Sequence, residues 1–178
     1  MRPPESSPDV DEQRKRLAAH IADLLRLEKE GRPTGELEKQ VNALIERLLP
    51  KDPTDVYGRR FDELLLAVVR EHHPELIREV EQKIRAKNLA ATRWALQSIR
   101  QALDHFNLDT ALYPTTEQGL AVLSEDRGRG PYITRSFPIK DPWGHPFVYR
   151  FPSLAGRKPY DLFSVGPDGK EGTADDIE

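Results

Sequence analysis

The character of the sequence changes at Asp109, and this change limits the folds that the chain can adopt. Before Asp109, apolar residues recur at the spacing of a helix face, among many charged residues. After it come more than half of the prolines, most of the glycines and most of the aromatic residues. Because glycine and proline mark turns and loops, we predict an α+β protein with helices first and strands afterwards.

Four amphipathic stretches are predicted in the helical half. Their ranges are 11–29, 36–49, 56–72 and 75–108, with "GRPTG", Pro50 and Pro74 among the breaks between them. The fourth is the longest, and its apolar face, with Trp94, Leu103 and Phe106, is expected to cover a small sheet. Residues 1 to 10 carry three prolines without periodicity, which predicts disorder. We expect a disordered arm at 1–10, a helical module at 11–73 and a second domain at 74–178.

Two short aromatic runs are predicted to form the sheet. "FVYRF" at 147–151 and "YDLFS" at 160–164 are rich in strand-favouring residues, and the segment between them suits the loop of an antiparallel hairpin. "DPWG" at 141–144 places Asp first, Pro second and Gly fourth, the pattern of a type I turn. The expected fold is a long helix packed on a small antiparallel sheet, with an N-terminal all-α helical extension.

Composition and charge exclude several classes of function. A net charge of -3 argues against nucleic acid as a partner, and the absence of cysteine excludes disulfides, cysteine zinc sites and a thiol nucleophile. The longest apolar run, "LLLAVV" at 64–69, is far short of the roughly 20 residues that span a bilayer, so no membrane span is expected. The start "MRPPESSPDVDEQRKR" has no apolar stretch, so we expect no export signal on this chain.

Candidate catalytic residues are few and poorly placed. His72 and His73 are adjacent, so on a helix their side chains diverge by about 100 degrees and do not form a pair of zinc ligands four residues apart. Ser164 lies in "FSVG", which lacks the glycine flanks of a nucleophile elbow. His145 is interpreted as a loop residue. We predict no enzyme activity, with a hydrolase built on Asp and His145 as the lowest-ranked alternative.

The last stretch, "SVGPDGKEGTADDIE" at 164–178, carries the most specific chemistry. Asp168, Asp175 and Asp176 fall in a loop punctuated by glycine, and calcium accepts about 6 to 8 oxygen ligands from carboxylates and backbone carbonyls. The loop is not an EF-hand, because Lys170 and Gly172 stand where that motif needs oxygen-bearing side chains. From the residues alone, a solvated acidic tail and a calcium site are equally supported.

A series of motifs in the second half resembles a known family. "ALDHFNLDTALYPTTEQGLAVL", "GPYI", "KDPWGHPFVYRFP" and "YDLFSVGPDGKEGTADDI" follow in order and spacing the periplasmic domain of the major pseudopilin of type II secretion systems, over residues of about 87–177. The resemblance implies a long helix on a small antiparallel sheet, with a bound Ca²⁺ in the loop after the last long strand. Its implied ligands are the carboxylates of Asp168, Asp175 and Asp176 and the carbonyl of Val165.

Two functions are weighed on this basis. The first is a noncatalytic structural or interaction protein, in which a calcium-binding pseudopilin-type domain is joined to a helical module. The alternative is a true pseudopilus subunit whose leader and apolar anchor helix are absent from this chain. Both imply protein partners, either secretion-system components or further copies of the chain. The expected lack of an export signal favours the cytoplasm, whereas the resemblance and the calcium loop favour the outside, and the compartment stays open.

Overall fold

The computed structural model describes residues 8–178 except 50–54, 56, 127, 129, 155 and 157. Of the arm predicted at 1–10, residues 1–7 lie outside the described residues. Residues 8–10 are helical, so the prediction of disorder is wrong for them. The chain divides into two compact units, 1–85 and 86–178.

In the described residues of the first unit, three complete helices share one core through their apolar faces. They are α1 (Pro8–Lys29), α2 (Gly35–Leu48) and α3 (Arg59–His72). The buried side chains of this core have helical spacing within each element and include Leu17, Ile21, Leu25, Val41, Val68, Val69 and Val80. Val80 lies beyond the domain boundary predicted at 73 and 74, because the first turns of the next helix add apolar residues to this core. None of the helices in the described part of the chain is long and apolar enough to cross a membrane.

The long helix predicted at 75–108 is α4 (Ile77–Thr110), preceded by one 3₁₀ turn at Pro74–Leu76. Its buried apolar residues in the second unit recur three or four apart along the helix and are Ala95, Leu96, Ile99, Ala102, Leu103 and Phe106. Trp94 was expected on this face, but it is 58% exposed and its ring lies against that of Phe137, tilted by 32° with centroids 5.6 Å apart. Adjacent side chains on a helix differ in direction by about 100 degrees, so Trp94 lies beside the buried face that contains Ala95.

The sheet consists of β1 (Val148–Arg150) and β2 (Asp161–Phe163), paired antiparallel as predicted. Tyr149 pairs with Leu162, and both side chains are buried in the same core cluster as Leu103 and Phe106. The Tyr149 hydroxyl donates a hydrogen bond to the carbonyl of Pro114 at 2.8 Å. The observed fold is therefore α+β, with the inner face of α4 and the small sheet contributing to one core.

Candidate functional site

The C-terminal loop, residues 165–176, follows β2 and is closed at its base by backbone pairing. Ser164 and Ile177 exchange two hydrogen bonds, each of 2.9 Å, so the chain enters and leaves the loop at one point. Gly166 has φ +65, and a Cβ on it would lie 2.3 Å from the carbonyl oxygen of Asp175. The two arms of the loop thus touch at a position that only glycine fits without movement of the backbone.

Two of the predicted ligands, Asp168 and Asp175, are adjacent in this loop. The amide of Asp168 donates to Asp175 Oδ2 at 3.1 Å, and the Thr173 hydroxyl donates to Asp175 Oδ1 at 2.6 Å. The Thr173 bond is the largest cause that holds the pKa of Asp175 below its ordinary value, with the Asp168 amide helping and desolvation opposing. Asp168 Oδ1 accepts from the amide of Lys170 at 2.8 Å. Asp175 is thus favoured as an anion, the form that a cation needs.

Asp176 differs from the other two because one of its oxygens lacks a partner. Its Oδ2 accepts from the amide of Gly172 at 2.8 Å, whereas its Oδ1 is buried without a hydrogen-bond partner. A buried oxygen left in this way costs free energy unless a hydrogen-bond donor or a cation meets it. Val165, the predicted carbonyl ligand, is buried at the start of the loop.

The predicted ligands share one loop, but their carboxylates do not converge. Across the residues that the structure describes, no group of three or more histidine or acidic side chains is arranged to hold a metal ion. The carboxylate oxygens of Asp168 and Asp175 instead accept hydrogen bonds from the loop itself. Carboxylate and carbonyl oxygens are the donors that calcium prefers, and the loop offers both. The residues therefore fit calcium in donor chemistry, and the ligand set stays a prediction.

An ion pair holds the far side of the loop to the sheet. Arg150 on β1 donates from both terminal nitrogens to the two carboxylate oxygens of Glu171, each at 2.6 Å. This paired geometry is the strong form of an arginine–carboxylate contact, and it lowers the pKa of Glu171. Sequence reasoning missed this pair, because 21 residues separate the partners and neither lies in a motif.

A buried carboxylate, Asp141, lies beneath the base of the loop. The predicted turn at 141–144 is present, with the amide of Gly144 donating to the Asp141 carbonyl at 2.9 Å. The Asp141 side chain then accepts from the Ser164 hydroxyl at 2.6 Å. His145, expected as a plain loop residue, places Nδ1 3.0 Å from the carbonyl of Gly166. The only signal in the sequence was the Asp at the first position of the turn, which predicts local bonds and not the contact with Ser164.

The same three side chains are the natural candidates for a hydrolase, and their geometry does not favour one. The hydroxyl of Ser164 donates to Asp141 and not to His145, and Ser164 is fully buried, so a substrate does not reach it. His145 Nδ1 lies 3.7 Å from Asp141 Oδ2, beyond hydrogen-bond distance. This arrangement supports the loop and lacks the pairing of a nucleophile with a base.

Comparisons with known proteins concern the part of the chain that carries this loop. Residues 79–178 match the family model described as type II secretion system protein G. The chain is 39% identical over 88 residues to type II secretion system core protein G of Pseudomonas aeruginosa, covering 45% of this chain and 60% of that protein. For the protein of the same name from Escherichia coli K12, the identity is 44% over 89 residues, covering 45% and 59%. The chain thus spans about three fifths of these relatives' length.

One solved structure is also similar. It is the crystal structure of the major pseudopilin from the type 2 secretion system of enterohaemorrhagic Escherichia coli, at 33% identity and a TM-score of 0.45. The match covers 54% of this chain and 85% of that one.

Proposed function

The chain belongs to the type II secretion system protein G family, and we propose that it is a noncatalytic structural subunit of the type II secretion pseudopilus. The observation that carries the proposal is the family match over residues 79–178, which includes the whole second compact unit. This interpretation is favoured over a separate interaction protein, because the curated relatives are named as core proteins of the secretion system. The partners would be other copies of the chain or other secretion-system proteins.

The second part of the proposal is that the C-terminal loop binds Ca²⁺. The side chains of Asp168, Asp175 and Asp176 and the carbonyl of Val165 would hold the ion, whose two positive charges would offset most of the negative charge of the three carboxylates. The buried and unpartnered Asp176 Oδ1 supports this, because a cation is one of the partners that would satisfy a buried carboxylate oxygen. In a filament subunit such a loop would fix the surface that follows β2, and the binding energy would add to the stability of the fold.

Calcium binding is tested on the full chain after removal of metal. If the unfolded chain does not bind, calcium at a hundred times its dissociation constant should stabilise the fold by about 2.7 kcal/mol and raise the melting temperature. Asp175→Ala should remove most of this response, because it deletes a charged ligand. The control Asp104→Ala changes a carboxylate on α4, outside the loop, and should keep the response. Magnesium should substitute poorly, because it prefers a smaller octahedral shell and gives up its water reluctantly.

Thermal unfolding with calcium and with chelator measures this response. Identical melting curves in the two conditions, for wild-type protein that was metal-free at the start, would contradict calcium binding.

The structural role is tested by deleting the gene in its own bacterium, in a strain with no second protein G gene. Proteins exported by the type II route should disappear from the culture medium and return on complementation. Complementation with Asp175→Ala should restore export only partly if the ion supports the subunit. An unchanged set of released proteins in the deletion strain would contradict the pseudopilus proposal.

A further inference from the structure

We infer that Asp141 and Ser164 form a positioning pair that sets the direction of the Val165 carbonyl within the C-terminal loop. This inference rests on the calcium site proposed above, in which that carbonyl is a ligand. It concerns residues outside the loop that touch no ion themselves and act through the backbone. The buried carboxylate of Asp141 orients the Ser164 hydroxyl, and this hydroxyl orients the peptide unit between Val165 and Gly166.

The carboxylate of Asp141 is fixed before the loop begins. The residue is 2% exposed, and its Oδ1 accepts from the amides of Trp143 at 3.1 Å and His145 at 2.9 Å. The backbone of the same turn is closed by the amide of Asp141, which donates to the carbonyl of His145 at 2.8 Å. A buried carboxylate held by two amides has little freedom, so Oδ2 is an acceptor of fixed position.

The hydroxyl of Ser164 is oriented by this acceptor. It donates to Asp141 Oδ2 at 2.6 Å, which leaves its oxygen lone pairs free to accept. One of them accepts from the amide of Gly166 at 3.0 Å. The backbone of Ser164 is anchored as well, because it pairs with Ile177 in both directions. The amide of Gly166 therefore points at an oxygen that is held from two sides.

The direction of the Gly166 amide decides that of the Val165 carbonyl, because both belong to one planar peptide unit. The cis peptide bonds in the described residues lie elsewhere, at Gly130 to Pro131 and Phe151 to Pro152, so this unit is trans. In a trans peptide the carbonyl points away from the amide hydrogen. With the Gly166 amide turned to Ser164, the Val165 carbonyl is turned away from it.

His145 secures the next peptide unit from the same turn. The Gly166 carbonyl only accepts, so the His145 Nδ1, 3.0 Å away, is the donor. Its ring also lies against Gly169, where a Cβ would come within 2.8 Å of Nε2. Gly166 is thus held at its amide by Ser164 and at its carbonyl by His145. Asp141 accepts from the Ser164 hydroxyl and from the backbone amide of His145.

The key variant is Ser164→Ala, which removes the hydroxyl with the least change of shape. We expect it to weaken calcium binding by about 10- to 100-fold, the usual effect of losing a group that orients a metal ligand. Asp141→Ala should weaken binding similarly, and the double variant should add little, because both act through one path. The dissociation constants are measured by calorimetry at a temperature where each variant is folded.

Ser153→Ala is the matched control. Its hydroxyl donates to Asp161 at 2.5 Å, so it repeats the serine–aspartate bond at two residues outside 165–176. Because this bond is only partly buried, Ser153→Ala should lose less stability than Ser164→Ala, and it should keep the wild-type dissociation constant. A folded Ser164→Ala that also keeps the wild-type constant would overturn the inference alone. A wild-type chain that binds no calcium would overturn the calcium site, and this inference with it.

A second measurement does not depend on whether any variant folds. In wild-type protein with chelator, the Gly166 amide should exchange its hydrogen slowly, because it already bonds to Ser164 without the ion. Exchange at the rate of a free amide would show that the peptide is not preset, and would also overturn the inference.

Discussion

The substitution Leu103→Ala tests whether the inner face of α4 holds the second unit together. Leu103 has no exposed surface and belongs to the same buried cluster as Tyr149 of β1 and Leu162 of β2. Leu108 lies five positions further along the same helix and is 80% exposed. The two leucines share a residue type and a helix, so Leu108→Ala is a matched control for the loss of three carbon atoms.

The expected magnitude follows from this difference in burial. Truncating a fully buried leucine costs the lost transfer free energy and leaves a cavity, together about 2.7 to 5 kcal/mol of unfolding free energy. An exposed leucine away from special contacts should change the unfolding free energy by about 0.5 kcal/mol or less. For a unit of this size a loss of 3 kcal/mol lowers the melting temperature by roughly 12 to 24 °C.

Tryptophan fluorescence is the suitable readout for this pair. Trp94 and Trp143 are the two tryptophans of the chain, and both lie in the second unit, 86–178. Urea titration followed by fluorescence therefore reports the unfolding of that unit. If the unfolding free energies of Leu103→Ala and Leu108→Ala agreed within about 1 kcal/mol, the reasoning that places α4 over the core would be refuted.

Two further predictions concern the loop and the buried tyrosines. Gly166→Ala and Gly172→Ala both place a side chain at positive φ, but only at Gly166 would a Cβ strike the backbone, so urea titration should show a clearly larger loss for Gly166→Ala. Burial, the main cause, raises the pKa of Tyr160 to about 12, above the ordinary value of about 10. The contribution of Tyr160 to stability is therefore fully present below about pH 10 and is lost as the pH rises through about 12. Urea titrations from pH 8 upward should show a smaller decline in unfolding free energy for Tyr160→Phe than for the wild type.

The elements of the fold were predictable because they depend on local spacing. The helical period located α1 to α4 within a few residues, and the aromatic runs located β1 and β2, since both signals reflect burial of one face. Trp94 was misplaced because size and hydrophobicity suggest burial, while the phase of the helix decides it. The residues of α4 that extend the first core were also missed, because no turn or proline marks where one core ends.

The loop of the candidate site could be predicted from the sequence, but the residues that support the loop could not. Glycines and aspartates close together in sequence point to one loop, so Asp168, Asp175 and Asp176 could be proposed from the sequence. The contact of Asp141 with Ser164 spans 23 residues, and its partners are found only when the turn and β2 are placed side by side. A local sequence pattern does not indicate a contact between residues so far apart along the chain.

The C-terminal loop is stabilised by polar interactions, whereas the rest of its unit is stabilised by apolar burial. Between Gly166 and Asp176 the only apolar side chains are Pro167 and Ala174, and the core cluster takes Ile177 from just beyond the loop. The loop therefore depends on hydrogen bonds and the Arg150 to Glu171 ion pair, which exchange partners at lower cost than buried apolar contacts do. A change in the charge of the loop should consequently alter its order before it alters the core formed by α4 and the sheet. That separation would suit the proposed binding of Ca²⁺ by the loop, because the core would persist whether or not the ion is bound.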